Sequence, residues 1–187
     1  MRHPRFGSRG SAAALMLGLL NPVATAAVSE SAPGHFRIEQ TVLLPAAPLP
    51  TYRLLLQPQL WWSGAHTYSG DARNLSLDAA EARCFCERLA DGGSVEHMRV
   101  VQAQPGTLLR LSGGLGPLQA AAVAGTLTWT LKAEGQGTRL GLTYVVAGHV
   151  PGGADKLAGP VDRVLAEQLD RLAAAAARGD QGAQTRD

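Results

Sequence analysis

The sequence predicts an α+β fold of the helix-grip type, in which a curved antiparallel sheet of about seven strands wraps a long C-terminal helix. Three observations lead to this prediction. The spacing of the apolar residues changes at an aromatic-rich segment, residues 61–71. Before this segment they recur with the period of a helix, and after it they alternate with polar residues, as in a strand. The strand-like segments after it are separated by tight, glycine-containing turns, which join antiparallel neighbours. The last long segment, from Asp155, repeats its buried positions at helical spacing.

The N-terminus has the pattern of a secretory signal peptide. Three arginines within the first nine residues precede the apolar run Ser11–Leu20. This run is about half the length of ~20 residues that a membrane-spanning helix needs. Ala24-Thr25-Ala26 fits the small-x-small rule for cleavage. We therefore expect a signal peptide over residues 1–26, a mature chain that begins at Ala27, and a periplasmic or secreted protein.

Removal of this leader changes the charge of the chain. The leader holds three of the 17 Lys and Arg residues and none of the 15 Asp and Glu residues, so the mature chain is slightly acidic. Without a basic stripe, nucleic acid is not an expected partner. The mature sequence has no second apolar run of spanning length, so no membrane span is expected after cleavage.

The rest of the chain is predicted to form one domain, residues 35–178, between a polar leader at residues 28–34 and a disordered tail at residues 179–187. The first strand, His35–Val42, alternates apolar and polar residues. Prolines then mark the entry to a helical segment, Thr51–Leu60, because proline fits the first turn of a helix. The strand-like segments that follow are residues 73–78, 82–89, 94–103, 107–112, 122–133 and 138–146.

The C-terminal helix is predicted from residues that share one helical face. They are Leu157, Val161, Val164, Leu165, Gln168 and Leu172. Gly159-Pro160 should kink this helix or delay its start. Alanine fills much of the rest of the helix. A curved sheet closed by a helix with so few large side chains can leave a cavity between the two.

Short motifs along the chain resemble those of the START-like superfamily, also called SRPBCC, and within it the heat-shock ATPase activator and polyketide cyclase branches. Val42–Ala46 resembles the strand-then-proline start of the first helix, and Trp61-Trp62 resembles the paired tryptophans after the helical segment. Pro105–Leu111 and Gly137–Leu140 resemble two strands of these branches. The resemblance covers residues 36–177. It implies a deep apolar pocket for lipids, hormones, polyketides or other hydrophobic molecules.

The chain departs from these relatives in two respects. The expected export differs from the cytosolic action of the chaperone-activating branch. Cys84 and Cys86 are not part of the general family pattern. These departures bear on the function rather than on the fold, because a fold does not by itself carry a chemistry.

The aromatic corner supplies the candidate ligand-binding residues. Trp61 or Trp62, with Tyr68 and Trp129, should border one apolar cavity closed by the C-terminal helix, since large rings supply apolar area and a polar edge. One of the paired tryptophans is expected in the core and the other at the rim. His97 and Cys86 are further candidates for contact with the ligand.

The two cysteines lie at positions i and i+2 of a predicted strand and share a face. Ideal strand geometry separates their Cα atoms by about 6.5–7 Å, the upper edge for a disulfide. We therefore predict no stable bridge. A turn centred on Asp91-Gly92 would place Cys86 opposite His97 and Cys84 opposite Arg99. Three interpretations stay open: packed thiols, an oxidised pair, or a site for a soft metal ion formed by the two cysteines and His97. We predict no metal or other cofactor.

Two histidines are the candidate catalytic residues. His66, near Tyr68 and Asp71, has the chemistry of a general base, as has His97 with Tyr68 or Arg99 as partner. Each also has a simpler interpretation as a capping or packed residue. The sequence contains no HExxH, GxSxG or P-loop motif, which disfavours the metal hydrolase, serine hydrolase and nucleotide enzyme classes.

The leading functional prediction is an exported, monomeric protein that binds a hydrophobic small molecule in the cavity. The first alternative is an enzyme of the cyclase or dehydratase type that acts on a hydrophobic substrate. The second alternative is an envelope protein-interaction module, which matches the resemblance to chaperone activators but not the expected compartment.

Overall fold

The computed structural model describes the backbone of residues 25–81 and 83–184, and the side chains of residues 27–179 except residue 82. The predicted signal peptide, apart from its last two residues, lies outside this part of the chain. The expected cleavage before Ala27 therefore stays a prediction.

Eight antiparallel strands form one sheet in the spatial order β1-β2-β8-β7-β6-β5-β4-β3. The strands are β1 Thr25–Ala32, β2 His35–Leu44, β3 Leu75–Leu77, β4 Cys84–Arg88, β5 Ser94–Gln104, β6 Leu108–Ser112, β7 Ala122–Glu134 and β8 Gly137–His149. Helix α1 spans Pro48–Leu55 and helix α2 spans Asp155–Gln184. The predicted α+β helix-grip fold is thus confirmed, with one strand more than expected.

Alternating side chains explain why the strands have one buried face. In β2, Phe36 and Ile38 are fully buried and Leu44 is nearly so, whereas His35 and Leu43 on the opposite face are exposed. The same alternation continues through β6, β7 and β8. The sheet therefore has one apolar face, which packs on the helices.

The additional strand is β1, in the segment expected to be a polar leader. Residues 27–31 are all exposed, so no buried alternation marked them as a strand. The strand forms because its backbone pairs with β2, from Thr25 opposite Thr41 to Ala32 opposite His35. Backbone hydrogen bonds alone can hold such an edge strand in place, and they leave no periodic pattern in the sequence.

Helix α2 contacts β1 and β2 and supplies much of the core. Leu165, Gln168, Leu169 and Leu172 are at most 1% exposed. The helix begins at Asp155 and runs through Pro160, so its start is not delayed. It also continues to Gln184, so the tail expected to be disordered from residue 179 is helical over most of its length.

The segment between β2 and β3 carries the aromatic corner. Helix α1 ends at Leu55, before Pro58, because proline cannot continue the hydrogen-bond ladder of a helix. Three short 3₁₀ turns follow, at Pro58–Leu60, Gly64–His66 and Ala72–Asn74. This irregular segment packs residues 61–68 against α2 and the sheet.

Candidate functional site

A cavity of about 480 Å³ lies between α2 and the end of the sheet formed by β4 and β5. The aromatic corner and the two strands contribute Trp62, His66, Thr67, Tyr68, Phe85 and His97. The loop before β7 contributes Leu115, Gly116 and Pro117, and the first half of α2 contributes Leu157, Pro160, Val161, Val164 and Leu165. Most of these side chains are apolar.

Trp62 is the tryptophan that lines the cavity. Its ring packs on Phe85 at a centroid distance of 5.3 Å, and its Nε1 donates a hydrogen bond to the carbonyl oxygen of His66 at 3.1 Å. It is only 7% exposed. The ring therefore forms a fixed wall rather than a mobile rim.

Trp61 and Trp129 lie in the core beside the cavity and do not line it. Trp61 packs edge-on against Trp129 at 6.2 Å, and its Nε1 donates to the carbonyl oxygen of Leu54 at 3.0 Å. The structure thus separates the four aromatic candidates into two groups. Trp62 and Tyr68 face the cavity, whereas Trp61 and Trp129 fill the interior behind it.

A β-bulge brings His97 into the cavity wall. Phe85 pairs with Met98 and Cys86 pairs with Glu96, which leaves His97 as an extra residue on β5. Both His97 and Met98 are buried as a result, at 7% and 1% exposure. The expected pairing of Cys86 with His97 is wrong because of this bulge, whereas Cys84 does pair with Arg99.

Glu87 holds His97 in place, and sequence reasoning missed it. Its side chain is 0% exposed, and its Oε2 lies 2.9 Å from Nε2 of His97. The same carboxylate accepts backbone hydrogen bonds from Tyr68 at 3.1 Å and from Ser69 at 2.5 Å. The sequence could have indicated that Glu87 is buried, because Glu87 lies two residues after Phe85 and therefore on the apolar face of β4.

The environment shifts the pKa of both members of this pair. Burial lowers the pKa of His97, and Glu87 offsets only part of that effect. Burial alone would raise the pKa of Glu87, but hydrogen bonds from Ser69, Tyr68 and His97 outweigh it and keep the pKa below its ordinary value. At neutral pH the pair is therefore an ionised carboxylate beside a neutral imidazole.

Tyr68 and His66 lie at the open side of the cavity. The Tyr68 ring stacks on His97 at 5.8 Å and is 54% exposed, so the cavity reaches solvent here. Nε2 of His66 lies 2.9 Å from Oε2 of Glu167 on α2. The hydrogen bond from His66 lowers the pKa of Glu167. These contacts tie the aromatic corner to the helix across the cavity.

The cysteines are joined by a disulfide and do not line the cavity. Their Cα atoms are 5.4 Å apart, within the usual disulfide range rather than at its edge. The prediction of no bridge is wrong because the neighbouring bulge departs from ideal strand geometry. Cys86 faces away from the cavity, opposite to Phe85. The Glu96 carboxylate lies near the two sulfurs, so three side chains of kinds that can bind a metal ion are close together. The sulfurs are bonded to each other, however, so neither is a thiolate that could bind a metal ion.

Stability should fall as the pH is lowered, because His97 is buried as a neutral ring. Its pKa in the folded protein lies below the ordinary 6.5, so the unfolded chain binds the proton first and acid favours unfolding. Each unit of difference corresponds to about 1.4 kcal/mol. Urea unfolding at about pH 7.5 and about pH 5 should show a larger loss for the wild type than for His97→Phe. Equal losses in the two proteins would contradict a buried, neutral His97.

The sheet, the gripping helix and the apolar cavity between them define a helix-grip protein. The chain belongs to the polyketide cyclase/dehydrase and lipid transport family, whose model matches residues 35–177, within the SRPBCC superfamily. The resemblance found in the sequence is thereby confirmed. This membership places the chain among hydrophobic-ligand-binding or polyketide cyclase/dehydrase-type proteins.

Solved structures share the fold at low sequence identity. CalU16 from Micromonospora echinospora is 14% identical, with a TM-score of 0.55 over 82% of this chain and 85% of that one. The di-domain ARO/CYC StfQ of the steffimycin biosynthetic pathway is 14% identical, with a TM-score of 0.55 over 80% of this chain and 53% of that one. Ara h 8.0201 is 10% identical, with a TM-score of 0.54 over 78% and 99%. No curated protein matches the chain.

Among the described residues, no helix combines the length and the apolar character that crossing a bilayer requires.

Proposed function

We propose that the protein is exported, acts as a periplasmic or secreted monomer, and binds one hydrophobic small molecule between the sheet and α2. The observation that most supports the binding of a hydrophobic molecule is the cavity of about 480 Å³ with its largely apolar wall. Small-molecule sites are typically clefts of about 300–1,000 Å³ with a few polar groups among apolar ones. The cavity has this composition, with His97 and Tyr68 among its polar groups.

The binding proposal is tested by titration with N-phenyl-1-naphthylamine, a neutral dye that fluoresces in apolar surroundings. We expect saturable binding of one dye per chain and quenching of tryptophan emission, because Trp62 lines the cavity. Analytical ultracentrifugation of the same sample should show a monomer. Fluorescence that rises without saturation, or stays at the level of buffer, would contradict a single site.

Export is tested on the full-length precursor expressed in a bacterial host. Mass spectrometry of protein from the envelope fraction should find a mature chain that begins at Ala27 or within a residue or two of it, because the small-x-small pattern ends at Ala26. A soluble cytosolic fraction that retains residues 1–20 intact would contradict export.

One observation favours a second candidate function, a cyclase or dehydratase. His97 is held by Glu87 and stacked on Tyr68 at the cavity wall, which is the arrangement of an oriented general base. Arg99 does not take part, because it is 56% exposed and pairs with Glu96. Exchange of the α-protons of 2-tetralone with deuterated buffer tests this candidate. Rates that are equal for the wild type and for His97→Phe would exclude it.

A further inference from the structure

The polar side chains of the cavity differ in how far they are already engaged. Thr67 Oγ1 donates to the carbonyl oxygen of Gly64 at 2.7 Å. The Tyr68 hydroxyl lies within hydrogen-bond distance of the Gly116 carbonyl oxygen and of Gln119 Oε1. These contacts hold loops together and use the single proton of each hydroxyl, so neither hydroxyl is free to donate to a ligand.

Glu87 determines which nitrogen of His97 carries the proton. Its carboxylate already accepts from two backbone N–H groups, and an ionised carboxylate can only accept hydrogen bonds. Nε2 of His97, 2.9 Å away, must therefore be the protonated donor. In the neutral ring, Nδ1 then carries a lone pair and acts as an acceptor.

Nδ1 of His97 has no hydrogen-bond partner among the described residues. Among the described residues, Oε1 of Gln40 is the one polar side-chain atom that is both inaccessible to solvent and without a hydrogen-bond partner. Nδ1 is therefore not sealed, and the space that the ring borders is the cavity. The site thus presents an unengaged acceptor at a buried position of its wall. His66, Thr67 and Tyr68 also carry acceptor lone pairs, but these three residues are more exposed than His97, so water reaches them more readily.

Charge restricts the ligand further. None of the residues that line the cavity is a lysine or arginine, within the described part of the chain. The nearest charged partners of its two histidines are the carboxylates of Glu87 and Glu167. A ligand carboxylate would meet no cation here and would lie close to like charge, which costs free energy in an apolar cavity.

We propose that the ligand is a neutral hydrophobic molecule with a hydroxyl group, and that this hydroxyl donates its hydrogen bond to Nδ1 of His97. The inference rests on the proposed function, since it names the class of molecule that the same cavity takes. It excludes free fatty acids and other carboxylates as preferred ligands. It also excludes plain hydrocarbons, which would leave the acceptor unpaired.

Three probes of similar shape test this proposal at neutral pH. They are 2-naphthol, 2-methoxynaphthalene and 2-naphthoate, each measured by displacement of N-phenyl-1-naphthylamine. One neutral hydrogen bond should make 2-naphthol bind about 3- to 10-fold more tightly than the methoxy compound, with 2-naphthoate weakest. Equal affinities of the first two, or tightest binding of 2-naphthoate, would overturn the proposal while the dye still confirms a hydrophobic site. Failure of every probe, the dye included, would instead overturn the proposed function.

The variant His97→Phe keeps an aromatic ring between Tyr68 and Phe85 and removes the acceptor. The preference for 2-naphthol over 2-methoxynaphthalene should disappear in this variant, and a preference that persists would contradict the role of His97. If the variant does not fold, imidazole ¹⁵N spectra of the wild type decide the matter. They should show a protonated Nε2 and an unprotonated Nδ1 whose resonance moves when 2-naphthol binds, and the opposite tautomer would overturn the proposal.

Discussion

Replacing Leu169 with alanine should lower the free energy of unfolding by about 2–5 kcal/mol. Leu169 lies on the face of α2 that grips the sheet and is 0% exposed. It does not line the cavity, so the truncation opens a new void in a packed part of the core. Urea unfolding followed by tryptophan fluorescence measures the loss.

The matched control is Leu43→Ala, the same change at a residue of β2 that is 46% exposed. Its effect should stay within about 0.5 kcal/mol, as for most surface substitutions. Equal losses at the two positions would mean that α2 does not grip the sheet as described.

Replacing Val164 with phenylalanine should abolish most of the ligand binding and leave the fold intact. Val164 is half-buried on α2 and lines the cavity, so the larger ring can occupy the space of a ligand. The affinity for N-phenyl-1-naphthylamine should fall at least about tenfold, a loss of about 1.4 kcal/mol or more. The variant should unfold at a urea concentration no lower than that of the wild type, because the ring fills empty space.

The control for this variant is Arg163→Phe, which introduces the same residue one position earlier on α2. Arg163 is exposed and does not line the cavity, so the dye should bind this variant as it binds the wild type. A similar loss of affinity in both variants would point to a general disturbance of the helix. Full affinity in Val164→Phe would place the dye outside the cavity.

The regular elements could be predicted because their side chains repeat with a simple period. The spacing of Leu165, Gln168 and Leu172 placed one face of α2 correctly, since all three are buried. The alternation in β7 and β8 gave both strands nearly to their ends. Strand β1 lay beyond this method, because backbone pairing with β2 holds it and its described side chains are mostly exposed.

The candidate site could be predicted only in part. The aromatic corner did supply Trp62, His66 and Tyr68 to the cavity wall. The bulge at His97 changed the partner of Cys86, and an extra residue in one strand leaves no periodic signal. Glu87 was missed because a buried acid is recognised by its partners, which come from residues 68, 69 and 97.

Trp129 shows a further limit of periodicity. Its position in β7 indicated an inward-facing ring, and the ring is 3% exposed. Whether an inward-facing ring borders empty space depends on the neighbours that fill the interior. Trp61 packs against Trp129 and occupies that space, so the cavity lies beyond Trp62.

A crystal structure of the protein with N-phenyl-1-naphthylamine bound tests the central claim most directly. We predict dye density inside the cavity, in contact with Trp62, Val164 and His97, with α2 still packed on the sheet. Density confined to the outer surface, or a cavity that stays empty when the dye is saturating, would contradict the claim that this cavity binds hydrophobic molecules.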